Sequence, residues 1–150
     1  MKILLDTSVM LAALLQSHPA HASAYPWLKM IKQREHTGYL STHSLAELYN
    51  KLTRVPLARA IPSSEALAML TVNVTSLMEL VALSSEDYLS VVNHLASRNL
   101  VGGIIYDALI VRAGIKAGVD RILTLNPRHF RLISPEAAAR IVDPGEESAT

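Results

Sequence analysis

Two kinds of apolar run alternate along this chain. Short, nearly continuous ones (Ile3-Leu4-Leu5, Leu77 to Leu83, Ile122-Leu123) suit strands buried on both faces, and longer ones carry helical spacing. The first strand is expected at 2–6. A helix over 8–16 follows, apolar nearly all round from Val9 to Leu15 and therefore buried. His18-Pro19 breaks it. Ser23 reads as the N-cap of the next helix, with Pro26 in its first turn and Ala24, Trp27, Leu28 and Ile31 facing inward.

Gly38 to Thr42 predicts a second strand, and 44–54 a helix whose inner face is Leu45, Leu48, Leu52 and Val55. Pro56 ends that helix, and Pro62-Ser63-Ser64-Glu65 starts another over 65–72. A strand at 77–83 precedes a helix capped by Ser84-Ser85-Glu86-Asp87 and running to Ser97. Gly102-Gly103 precede a helix at 104–117, stopped by Gly118 at the usual C′ position. Arg121 to Asn126 is the last expected strand, since Pro127 bars a helical Asn126. Strands alternating with helices predict an α/β fold with a mostly parallel central sheet and helices on both faces. One domain over 1–143 is expected, with a loose polar tail at 144–150.

Composition narrows the chemistry. Half the residues are hydrophobic but only 5% are aromatic, so aliphatic packing must dominate the core. The net charge of +1 leaves any nucleic-acid contact to local basic clusters. Without cysteine there is no disulfide, thiolate metal site or thiol nucleophile, which fits a reducing, cytoplasmic location. Lys2, the apolar stretch to Leu15 and Ala20-His21-Ala22 imitate a secretory signal, but Asp6 interrupts the apolar region. No apolar run reaches the roughly 20 residues that span a bilayer.

Asp6 is the first candidate for chemistry, since it sits where a strand hands over to a helix. Thr7 or Ser8 can cap that helix, which frees Asp6 from the task. Asp107 lies at the edge of the buried stripe Ile104, Ala108, Val111 and Ile115, opposite the solvated Arg112 and Lys116. It suits a metal or strand-end site and, equally, the dipole of its helix. Glu47 reads more simply as the end of a capping box from Ser44 and as an i,i+4 partner of Lys51. Three acids on three elements nonetheless suggest a hard-cation site. His18-x-x-His21 has no third ligand at zinc spacing. Asn126-Pro127-Arg128-His129-Phe130-Arg131 is the best basic cluster, either a phosphate contact or an ordinary polar loop. No phosphate-binding glycine loop and no nucleophile elbow occur.

Taken in order, Met1 to Ser8, His18-Pro-x-His21-x-x-Ala24-x-x-Trp27-Leu28, Ser44-Leu-Ala-Glu47-Leu48, Tyr106-Asp107-Ala108-Leu109-Ile110 and Ile122 to Phe130 resemble the PIN-domain family. More narrowly they resemble VapC-type toxins of toxin–antitoxin pairs, over about residues 1–133. The resemblance implies a PIN-like fold and an endoribonuclease that uses metal-activated water. Asp6, Glu47 and Asp107 would be ligands to Mg²⁺ or Mn²⁺, with Ser8 positioning ligand or water. Asn126 stands where the family often has a fourth acid, which weakens a second metal position. Arg128, Arg131, Lys51 and Arg54 are candidate phosphate contacts. The implied partners are an RNA substrate, a cognate antitoxin and a second copy in a homodimer, with helices at 44–72 as candidate surfaces and no membrane. The rival reading is a catalytically weak PIN-like module that binds RNA or a partner without cutting. A small nucleotide-binding domain ranks last.

Overall fold

The computed structural model describes residues 1–149. Its strands are β1 (Lys2–Leu5), β2 (Thr37–Ser41), β3 (Met78–Val81), β4 (Arg121–Leu123) and β5 (Ile141–Val142). They form one sheet in the order β3-β2-β1-β4-β5, and every pairing is parallel. The helices are α1 (Thr7–Leu14), α2 (His21–Lys32), α3 (Thr42–Arg54), α4 (Ser63–Leu70), α5 (Ser85–Ser97), α6 (Ile104–Ala117) and α7 (Pro127–Ile133). A π-helical turn at Thr71–Thr75 extends α4, and a 3-10 stretch at Pro135–Arg140 leads into β5.

The central strand shows why the apolar run is continuous. Side chains alternate across a strand. Ile3 and Leu5 therefore pack with Val9, Met10, Trp27, Leu28, Leu48 and Leu52 on one face. Leu4 packs with Ile110, Val111, Ile122 and Phe130 on the other. Both faces are covered, as an all-parallel sheet requires. Gly114 lets α6 approach β4: a Cβ there would lie 2.8 Å from Ile122 Cδ1. Gly118, at φ 62°, ends α6 in the left-handed conformation expected of a C-capping glycine.

The fold class agrees with expectation, but local details differ. α2 starts at His21 rather than after Ser23, so Pro26 lies inside the helix, and Ser23 Oγ donates instead to the Ala20 carbonyl. Arg112 and Lys116 are not simply solvated. Both pair with the buried Asp87, at 2.8 and 2.7 Å, and tie α6 to the capping box that opens α5. Their charges and hydrogen bonds, with the Ser84 N–H, hold Asp87 far below the usual carboxylate range. α7, the 3-10 stretch and β5 were not anticipated. From Pro144 onward, where composition suggested a loose end, the chain makes specific contacts. Trp27 Nε1 donates to the Pro144 carbonyl at 3.1 Å, Arg121 grips Glu147, and His36 Nε2 meets the Ala149 carbonyl. Thr150, the last residue of the expected tail, lies outside the described residues. Among those described, no helix is long and apolar enough to cross a membrane.

Candidate active site at the carboxyl edge of the sheet

In an open parallel sheet, ligands meet the crevice where the strand order reverses. Here the chain proceeds from β1 to β2 and β3 on one side, then returns to β4 and β5 on the other. The crevice therefore opens between the carboxyl ends of β1 and β4. Asp6 follows β1 and Thr124 follows β4.

Asp6 is 4% exposed. Contrary to expectation it is itself the N-cap of α1, accepting from Val9 N at 2.9 Å. The same Oδ1 accepts from Ser8 Oγ at 2.6 Å. Ser8 Oγ in turn accepts from Leu125 N at 3.2 Å, and Asp6 N donates to the Leu123 carbonyl at 3.0 Å. These bonds stitch the two strand ends together across the crevice. Burial pushes the Asp6 carboxyl above its ordinary range, opposed by hydrogen bonds from Ser8, Thr124 and Val9, and the Asp107 charge pushes it further. Thr7 Oγ1 next to it is buried and is the sole such side-chain atom without a hydrogen-bond partner among the described residues.

Asp107 projects from the first turn of α6 and is partly exposed. Its Oδ2 meets His129 Nδ1 of α7 at 2.8 Å. Desolvation raises its pKa, the His129 bond and charge lower it, Glu47 raises it and Lys51 lowers it. Glu47 stands on α3, capped not by Ser44 but by Ser41, whose Oγ accepts from Ser44 N. The side chain of Glu47 turns back to His43 Nε2 at 3.1 Å in place of the anticipated pairing with Lys51, whose charge instead acts on Asp107. The structure thus brings Asp6, Asp107 and Glu47 into one electrostatic neighbourhood. Among the described residues, no three His, Asp or Glu side chains stand close enough together to hold an ion as placed. Two of the three acids are turned toward histidines.

Hollows carrying cations flank this acidic centre. Asn50, Lys51 and Arg54 line one of about 340 Å³ along α3. Asn126, Arg128, His129, Arg131 and Leu132 line another of about 500 Å³ along α7. Arg128 makes no hydrogen bond or ion pair among the described residues, whereas Arg131 is committed to the Ile141 carbonyl at 2.7 Å. Asn126 has the non-helical backbone that Pro127 imposes, and its N–H donates to Thr124 Oγ1. The tighter cavity of about 160 Å³ between α5, α6 and α7 includes none of the acids. His18 and His21 serve locally, on Ala20 N and the Ala12 carbonyl.

Sequence reasoning missed Thr124, His43, Tyr106 and His129 as neighbours of the acids. The signals were present: His43 lies four residues before Glu47, and Tyr106 adjoins Asp107. Nothing local tied His129 to Asp107, because that contact depends on α7, which was not anticipated.

The PIN domain family model matches residues 3–134. Ribonuclease VapC27 of Mycobacterium tuberculosis is 34% identical over 108 residues, 72% of this chain and 73% of the relative. Ribonuclease VapC40 of the same species is 31% identical over 123 residues, 82% and 85% of the two chains. The fold is similar to that in the crystal structure of VapBC2 from Rickettsia felis bound to a DNA fragment from their promoter. That match has a TM-score of 0.68 at 22% identity, covering 95% of this chain and 98% of that one. The chain belongs to the PIN-domain family, among its VapC-type proteins.

Proposed function

We propose that the protein is an endoribonuclease toxin of a toxin–antitoxin pair, dependent on Mg²⁺ or Mn²⁺, with its centre at Asp6, Glu47 and Asp107. One observation carries the reading: a buried carboxylate at the switch point is opposed by a second, which is opposed by a third. Such a set resists full ionisation unless a cation joins it. Its donors are all carboxylate oxygens, which fits a hard divalent ion. Asp6, Glu47 and Asp107 would hold that ion, with the amide of Asn126 as a neutral oxygen nearby. When bound, it lowers the pKa of water and polarises a phosphoryl oxygen.

The chain's own groups do the rest. Ser8 and Thr124 fix the Asp6 carboxylate against the strand ends. His129 and His43 orient Asp107 and Glu47. Lys51 and Arg54 on one side and Arg128 on the other grip the RNA backbone on either side of the acids. The ribonuclease names of the relatives and the VapBC2 likeness support this assignment and an antitoxin partner. Exposed apolar side chains on and just after α3 and α4 (Tyr49, Leu67, Val72) suit the antitoxin and a homodimer contact. The face of α5 that exposes Tyr88, Leu89 and Val92 offers a second such surface.

The test is cleavage of an RNA pool and growth arrest on expression, wild type beside Asp6→Asn and Asp107→Asn, with Mn²⁺, Mg²⁺ or chelator. Cleavage and arrest that need the metal and both acids support the reading. A wild type that neither cuts nor arrests growth, yet binds RNA, replaces it with the non-cutting binding module.

A further inference from the structure

One feature beside the acids is not required for holding a metal or contacting phosphate. His43 of α3 and Tyr106 of α6 are stacked, with ring centroids 5.2 Å apart and planes within 1° of parallel. The imidazole is held by an acid, His43 Nε2 meeting Glu47 at 3.1 Å, and Tyr106 directly precedes Asp107 in α6. The pair therefore spans the gap between the two helices at the centre itself. The His43 side chain is 20% exposed, whereas Tyr106 is 51% exposed. One face of the tyrosine is covered by the imidazole, and much of the rest is open.

Packing alone explains this poorly, since a ring that served only to join α3 to α6 would gain more by being buried. A half-open aromatic ring held rigid from behind is instead prepared to receive another flat ring, because little freedom is left to lose on binding. The ring available next to a phosphodiester is a nucleobase. A paired base has both faces occupied within the duplex, so the ring would select an unpaired one. The neighbouring cations Lys51, Arg54 and Arg128 recognise phosphate, which every nucleotide carries, and give no grip on the base. We infer that Tyr106, backed by His43, is a stacking platform for an unpaired nucleobase flanking the phosphodiester held at the acids. The inference rests on the ribonuclease reading for its ligand class.

The experiment separates binding from cleavage. Fluorescence anisotropy is measured on the full chain with chelator present, using a labelled single-stranded adenosine 12-mer RNA and an abasic 12-mer of equal charge. Wild type should bind the adenosine strand about 5- to 150-fold more tightly than the abasic one, the range of one stacked base. Tyr106→Leu should remove most of that difference while leaving abasic affinity unchanged, and Tyr106→Phe should retain it. Equal binding of the two strands by wild type overturns the platform. So does a Tyr106→Leu variant that keeps the difference, or one that weakens both strands alike. Thermal melting of each variant identifies a folding defect, and the Phe variant, which preserves the ring, then decides the question. Base-dependent binding by a wild type that does not cut RNA with Mn²⁺ or Mg²⁺ would sink the ribonuclease reading and leave the platform standing.

Discussion

Ser8→Ala tests the construction of the crevice. The hydroxyl donates to the buried Asp6 carboxylate at 2.6 Å and accepts from Leu125 N at 3.2 Å, so one atom joins the end of β1 to the end of β4. A hydrogen bond to a charged group contributes about 1.5–3 kcal/mol, and a partly buried amide that loses its acceptor adds up to about 1. Asp6 is 4% exposed, so solvent screening gives little relief. The expected loss is about 2–3 kcal/mol at neutral pH, or roughly 5–10 °C in melting temperature for a domain of this size. The cost should also depend on pH. The Ser8 bond lowers the Asp6 pKa in the folded state, so removing it raises that pKa further. A raised folded pKa means the native state binds more protons than the unfolded chain, and stability falls as pH rises through that interval. The gap between wild type and variant should therefore narrow in acid, where Asp6 is protonated in both, and widen as pH rises through the folded-state pKa of wild-type Asp6, which lies above the ordinary carboxylate value of about 4. Thermal or urea melts from pH 4 to 8 check this. A variant that melts within a degree of wild type throughout, or whose deficit is independent of pH, refutes the reasoning.

Asp6→Asn should preserve the cap and abolish cleavage while raising the melting temperature at pH 7, because it removes a buried charge whose pKa is raised; no rise would count against the opposed-charge account. Adding Mn²⁺ or Mg²⁺ should raise the wild-type melting temperature and chelator should reverse it, whereas Asp107→Asn should blunt the shift; calorimetry of the titration reads the same equilibrium. Thr7→Val should stabilise by about 1 kcal/mol, since a buried hydroxyl without a partner gives way to a methyl of the same shape, and a loss in urea melts would mean that the hydroxyl is satisfied in solution. Gly114→Ala should destabilise by about 1–3 kcal/mol despite better helix propensity, because its Cβ would meet Ile122 at 2.8 Å; a gain would mean that α6 can move away from the sheet. Asp87→Asn should unfold more easily at neutral pH, with the deficit starting to shrink as pH falls below about 4 and disappearing only once pH falls through the far lower folded-state pKa of Asp87, since that lowered pKa gives stability that is lost in acid.

Much of the fold is legible in single stretches. Ile3-Leu4-Leu5 is buried on both faces because β1 is central, and that run carries its own evidence. Helix α6 is delimited by Gly102-Gly103 and Gly118, and its bounds of Ile104–Ala117 follow. The capping box at Ser84 and Asp87 is equally local. Where reasoning failed, competing residues of the same type stood side by side. Asp6, Thr7 and Ser8 can each cap α1; Asp6 is the cap, and Ser8 is engaged instead with Leu125 just past the end of β4. Ser41 rather than Ser44 caps α3 because β2 ends there and turns directly into the helix. α7 is short, and its buried Phe130 and Ile133 gain meaning only against α6 and β5.

The sequence by itself determined the element types as far as β4, the parallel α/β class, and which acids were candidates. Periodicity, caps and breakers act over a few residues, so they can be read from a few residues. Tertiary structure decided what those acids do to one another. The return of the chain from β3 to β4 places Thr124 and Leu125 beside Asp6, and docking of α7 brings His129 to Asp107. It also turned Lys51 from a helix partner of Glu47 into a counter-charge for Asp107, and aligned His43 with Tyr106 across two helices. Desolvation and Coulomb interaction depend on distance through space and on burial, and neither is encoded in the spacing along the chain.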